Sequence, residues 1–247
     1  MPVAANDMLM RGIIASSRPV VSSGIVLTHS FSDFRDTGTA IPLTLGTHAA
    51  NHFAFICATG EAGVTGFSIT GATGYQTLFD TMESSSGRAR RAAVFYKKLT
   101  SASEAPPTLT SADDDEISAS IHVFSGVDTT NHFDVTYTTG GAKPHVVHGQ
   151  NNYTFDIPEI TTANANSCLI AFAMQTHTNI SAWGTPSGFQ VAEAIVAANE
   201  GGTHFNHAVA YMENAGVAGV KAATPWGNTG IVSISDWSSR IFALRAA

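Results

Sequence analysis

The sequence predicts an all-β protein, an antiparallel β-sandwich of jelly-roll type, on three grounds. Charged residues make up only 13% of the chain while Gly, Ser, Thr, Ala and Asn abound, the composition of short strands joined by tight turns. Apolar runs are short and bounded by turn residues, a strand's length rather than a helix's. Strand-like segments recur in the same order after about 115 residues, an internal duplication. At 247 residues the chain has room for one large β domain or two small ones.

Taken in order, the opening MPVAANDMLMRGIIASSRPVV has no strong period, no basic region leading into a continuous apolar one, and no run of membrane-spanning length. Residues 1–22 are expected to be an arm for assembly contacts, ordered when docked, on a soluble and unprocessed protein. Residues 23–247 are expected to form a single β-sandwich domain. From residue 24, GIVLTHSFS, AIPLTLG and HFAFICATG read as strands, and TGFSITGATGYQTLFD follows with glycines at its bends.

The repeat begins at HFAFICATG, which lines up with SCLIAFAMQ from Ser167. ATGYQTLFD then matches PSGFQVAEA on Gly74 and Gly188, RRAAVFYKK matches NHAVAYMEN on Tyr96 and Tyr211, and SASIHVFSG matches SSRIFALRA. The repeat halves are about 50–126 and 165–247. Between them, HFDVTYTTGG and NNYTFDIPEI read as extra strands. Either each copy is a separate unit, or both feed strands into the same two sheets. A copy of about 75 residues with four short strands has exposed edges and little core, which favours shared sheets.

Only Cys57 and Cys168 are present, so neither a disulfide framework nor a Cys-rich zinc site is implied. Period-two alternation puts Phe53, Phe55 and Cys57 on one face and their counterparts Cys168, Ile170 and Phe172 on the matching face, with both thiols toward the core.

A net charge of −7 argues against a general nucleic-acid binder. Five of the twelve basic residues nevertheless cluster in SSSGRARRAAVFYKKL: Arg88, Arg90, Arg91, Lys97 and Lys98. The repeat partner THFNHAVAYMEN has no Lys or Arg, so the strand itself does not require them. They are either contacts to an acidic partner surface, such as another copy's DDDE, or to a glycan, or edge-strand charges that block sheet-to-sheet pairing. Asp113, Asp114 and Asp115 with Glu116 offer oxygen ligands but lack the alternation and glycine of a calcium loop, and read as a solvated turn or a partner contact.

His145 with His148 and His204 with His207 form HxxH pairs. The second is a poor chelate, because strand residues three apart point to opposite faces. HExxH, GxSxG, SxxK and phosphate-loop patterns are all missing, and the carboxylates Glu83, Asp128, Asp134, Asp156 and Glu159 are scattered. The expectation is a noncatalytic protein with no cofactor and no metal. Trp183 and Trp226, in Gly/Pro loops, would serve the alternative of a glycan platform, together with Trp237, Tyr75 and Tyr153.

The segments AVFYKKLTSASE, IHVFSGVDTTNHFD, ITTANANSCLIAFAM, GTPSGF and IFALRAA, in this order, resemble β-sandwich proteins encoded among the structural genes of tailed bacteriophages and prophages. The resemblance runs from about residue 50 to the C-terminus. It implies a virion component, most directly a capsid decoration or cement protein, with a tail or fibre protein that binds a host glycan as the alternative. Its implied partners are capsid or tail subunits and copies of itself, with no nucleic acid and no membrane. It transfers no catalytic residues, since the matching positions read as core and turn.

Overall fold

The computed structural model describes residues 24–35, 37–61, 63–84, 89–135, 146–151, 154–176, 182–195, 205–229 and 235–247. The expected arm, residues 1–22, lies outside them, as do Arg88, His145, Tyr153 and His204. Among the described residues every regular element is a strand and every pairing is antiparallel, so the all-β expectation holds.

The first part of the chain carries β1 (Val26–Arg35), β2 (Ala40–Pro42), β3 (Phe53–Gly60), β4 (Phe67–Thr70), β5 (Gln76–Ser84), β6 (Ala89–Lys98), β7 (Thr108–Ser111) and β8 (Ile117–Ser125). They form a five-stranded sheet ordered β1-β8-β3-β6-β5 and a three-stranded sheet ordered β2-β7-β4. The second part carries β9 (Val146–Asn151), β10 (Thr154–Phe155), β11 (Ile160–Thr162), β12 (Cys168–Thr176), β13 (Ala182–Trp183), β14 (Gln190–Ile195), β15 (Phe205–Met212), β16 (Gly219–Lys221), β17 (Trp226–Thr229) and β18 (Ser235–Leu244). Here the five-stranded sheet runs β9-β18-β12-β15-β14 and the three-stranded sheet β10-β17-β13, with β11 and β16 as an added ribbon. Each sheet therefore takes its strands from one part of the chain. The expectation that both recurring segments would feed strands into shared sheets is corrected: each part of the chain adds its own outer strands and builds its own sheets.

Three apolar layers follow. Ile41, Phe67 and Leu109 of the first small sheet cover Ala54, Ile56, Ala93, Phe95, Ile121 and Val123 of the first five-stranded sheet. Phe155, Trp183 and Trp226 do the same for Leu169, Ala171, Ala208, Ala210 and Ile241 in the second part. The third layer, the seam, lies between the two five-stranded sheets and takes Phe53, Phe55, Cys57, Val94 and Phe124 from one and Cys168, Ile170, Phe172, Val209, Tyr211 and Phe242 from the other. Covered on both faces, β3 is buried at every residue, which is why FAFICATG and CLIAFAM read as continuous apolar runs rather than alternating ones. Both cysteines are free thiols in this seam.

The two parts also agree in detail. Register is kept, Phe55 opposite Tyr96 and His122 in one, Ile170 opposite Tyr211 and Phe242 in the other. A bulge interrupts β5 between Thr77 and Phe79 and β14 between Val191 and Glu193. The Tyr96 hydroxyl donates to Gln76 Oε1 at 2.6 Å, and the Tyr211 hydroxyl to Gln190 Oε1 at 3.0 Å. Asn51 and Asn166 take φ of 70° and 61°, the left-handed region that asparagine tolerates best among residues with a side chain.

Candidate functional site

The basic cluster does not form an open surface. β6 lies between β3 and β5, so it is not an edge strand, and alternation sends Arg90 toward the seam and Arg91 to the opposite face. Arg90 is fully buried and stands opposite Glu83 in the β5–β6 ladder. Glu83, also buried, pairs across the seam with Arg240, whose guanidinium lies 4.2 Å from the centre of the Phe79 ring. Burial pushes Arg240 down to about 9, still high enough to keep it charged at neutral pH.

Arg91 is held by Asp80, which also accepts the Phe67 N–H at 3.0 Å. Lys97 is held by Glu104. Burial alone would raise the Glu104 carboxyl, but Lys97 and the N–H and hydroxyl of Thr100, at 2.6 and 2.8 Å, outweigh it and hold the carboxyl at about 2. Lys98 is half-buried, opposite Phe53. The reading of Arg90 as a partner-binding or solvated edge charge is corrected by its burial, and Arg91 and Lys97 are committed within their own half.

In the acidic run, Asp113 Oδ2 accepts the Thr65 N–H at 2.6 Å and the Thr65 hydroxyl at 2.7 Å, which hold its carboxyl below the usual range. Asp115 Oδ1 accepts the Glu116 N–H at 2.9 Å, and Asp114 is exposed. Asp113 feels the charge of Arg91 of the same chain. Among the described residues no group of three or more His, Cys, Asp or Glu is placed to hold a metal ion.

The tryptophan expectation is corrected. Trp226 is fully buried and Trp183 only 8% exposed. Their rings meet edge-to-face at 5.6 Å, Trp183 meets Phe155 at 5.6 Å, and Phe155 stacks on Trp237 at 5.1 Å. The four rings close the second small sheet onto its five-stranded partner, because large aromatic faces bury best against one another. A sugar-stacking platform needs exposed faces, which Trp183 and Trp226 do not offer.

The structure brings together a cluster that sequence reasoning missed. At the far end of the seam, Thr59 Oγ1 lies 2.7 Å from Ser118 Oγ, and Ser118 Oγ lies 2.7 Å from His207 Nδ1. Beside them His122 Nε2 lies 3.0 Å from Ser120 Oγ. All five side chains are buried. Burial pushes both imidazoles down to about 3, His122 also through the nearby His207 and His29. A hydroxyl beside an imidazole has the form of an activated nucleophile, but a general base works with a pKa near the operating pH and with access to substrate. Sealed and neutral, Ser118–His207 is a bridge between sheets. Its sequence signal is the alternation of Ser118, Ser120 and His122 along one face of an otherwise apolar strand.

No family model matches the chain, and no curated protein or solved structure matches it either.

Proposed function

We propose that the chain is an internally duplicated pair of jelly-roll sandwiches that serves as a noncatalytic structural protein of a tailed-phage virion, a capsid decoration or cement protein bound to neighbouring subunits and to copies of itself. A jelly roll wraps two Greek keys, so that its first, eighth, third and sixth strands share one sheet and its second, seventh, fourth and fifth the other. With the β11–β16 ribbon of the second half set aside, the strand order in both halves agrees with that scheme except that the fifth strand, β5 or β14, pairs beside the sixth at the edge of the larger sheet.

The observation that carries the reading is where the chemically capable side chains go. His122, His207, Arg90, Arg240 and Glu83 are sealed in the seam, Trp183 and Trp226 in a core, and Asp113, Asp80 and Glu104 are tied to neighbouring residues. A protein that commits such groups to rigidity suits a stiff particle component with few charged residues. The virion assignment rests on the sequence resemblance. The glycan-binding alternative loses the two tryptophans, Trp183 and Trp226, on which its platform chiefly rested.

The test is to purify particles whose genome encodes this chain, quantify the chain by mass spectrometry, and add the purified protein to particles made without it. Saturable rebinding in many copies to heads is expected. Particles that neither contain nor bind the chain would overturn the proposal.

A further inference from the structure

We propose that the two halves, residues 24–135 and 146–247, recognise each other as the subunits of a twofold dimer do, so that the covalent connection between them is dispensable for their association. The inference concerns self-recognition and stands whether or not the protein belongs to a virion.

The first support is the geometry of the seam. Ser30 and Ser32 of β1 donate to Ala192 O and Glu193 Oε2 of β14, at 3.2 and 2.7 Å, so β1 lies over β14. Ser118 bonded to His207 places β8 over β15. Phe242 of β18 meets Phe55 of β3 at 5.3 Å and Phe79 of β5 at 6.2 Å, so β18 lies over β6, the strand between those two. By position in sheet order, β14 is the counterpart of β5, β15 of β6 and β18 of β8. First strand therefore meets fifth, eighth meets sixth, and third meets third. That exchange is what a twofold axis parallel to β3 and β12, running between them, produces, and it is the geometry of an isologous interface.

The second support is that two polar contacts across the seam, Ser118 to His207 and Glu83 to Arg240, are made once rather than twice. The register equates Ala92 with His207, Ser118 with Ser238, Ser120 with Arg240 and His122 with Phe242. Ser118 bonds His207, whereas its mirror pair, Ser238 and Ala92, has no group on Ala92 to complete the bond. Glu83 meets Arg240, whose mirror position holds Ser120. Each half is thus fitted to the other half, and a like-with-like pairing would lose these partners.

The third support is a mutual clasp at the apolar end. Residues 127–134 of the first half run along the end of the second: Asp128 N–H donates to Arg245 O at 2.8 Å, Arg245 N–H to His132 O at 2.9 Å, and Asp134 N–H to Ala243 O at 2.9 Å. The Asp134 carboxylate accepts the N–H groups of Ala163 and Asn164, at 2.8 and 3.1 Å. In return Ala247 N–H donates to Gly126 O at 3.0 Å. Gly126 also packs on Gly24, whose carbonyl oxygen a Cβ there would meet at 2.6 Å. The start and the end of the described chain therefore lie close together.

Two full-length variants test the proposal. One carries a protease recognition sequence between residues 135 and 146 and is cut after folding. The other is a circular permutant in which Ala247 is joined to Met1 and the new ends fall between 135 and 146, which reverses the order of the halves. The expected result is that the cut fragments co-elute in equimolar amounts with an unchanged circular-dichroism spectrum and stay together on about tenfold dilution, and that the permutant melts in one transition close to the parent's. Fragments that separate on cutting a folded variant, or a permutant that stays unfolded where the uncut insertion variant folds, would overturn it.

Discussion

The two ends of the seam are built on different principles. At one end Phe53, Phe55, Phe124, Tyr211, Phe242 and Leu244 interdigitate, with Phe133 closing over Phe53 and Tyr96. Toward the other, the same strands carry Thr59, Ser118, Ser120 and His207, with His122 between the two ends, and β5, β6 and β18 supply Glu83, Arg90 and Arg240. The apolar end supplies stabilisation that scales with buried area and tolerates small shifts. The polar end supplies directional contacts, Ser118 to His207 and Glu83 to Arg240, that form at one register of the two sheets and are costly when broken. Area holds the halves together, and the buried polar groups fix how they sit.

The largest expected effect is at the apolar end. Phe242→Ala removes a ring that touches Phe55 and Phe79 and should cost about 3–5 kcal/mol in denaturant unfolding. Its pH dependence should match the parent's, because it leaves the histidines in place.

Acid probes the polar end. His122 and His207 have folded values of about 3 against an ordinary 6.5, so they bind protons more readily unfolded than folded. Their contribution is present above pH 6.5 and declines as the pH falls toward about 3. By about pH 5 the loss should reach roughly 2 kcal/mol per histidine. Carboxylates such as Glu104, whose stabilising effect is lost only as the pH drops below their ordinary 4.5, do not obscure that window. Stability of the double variant His122→Phe, His207→Ala should lose most of the parent's slope between about pH 7 and 5 and keep the part due to His52, whose pKa burial and the nearby His48 also lower, and a slope equal to the parent's would refute the assignment.

Ser118→Ala should cost about 1–3 kcal/mol, since it leaves the Thr59 hydroxyl and one His207 nitrogen buried without their shared partner. The smallest effects come from the matched tyrosines. Tyr96→Phe and Tyr211→Phe each lose one hydrogen bond to glutamine and should cost about 0.5–1.5 kcal/mol, nearly equal in the two halves. A several-fold difference between them would mark the halves as unlike at that site.

Much of the core was legible because it is periodic. Phe53, Phe55 and Cys57 on one face, Cys168, Ile170 and Phe172 on its counterpart, and the matches of Gly74 to Gly188 and Tyr96 to Tyr211 all follow from alternation and turn chemistry, which are local. The outer strands were less legible. β1 (VLTHSFSDFR) and β9 (VVHGQN) hold the same place in their sheets yet share little sequence, because an edge position constrains hydrogen bonding more than side-chain identity. The basic cluster misled for a related reason. A charge on a strand reads as solvated until the layer packed on it is known, and Arg90 faces the second half of the chain.

By itself the sequence determined the strand content, the faces of the central strands and the recurrence of one pattern along the chain, since these depend on spacing between near neighbours. Only the tertiary structure decided that each part of the chain forms its own sheets, that the two five-stranded sheets share one apolar seam, and that Ser118 meets His207 and Glu83 meets Arg240. Those pairs lie in separate halves, and their meeting depends on which face of one sheet is laid on which face of the other. No local period encodes that choice, because it is settled by the total apolar area and the matched polar groups that one stacking buries and its alternatives leave unpaired.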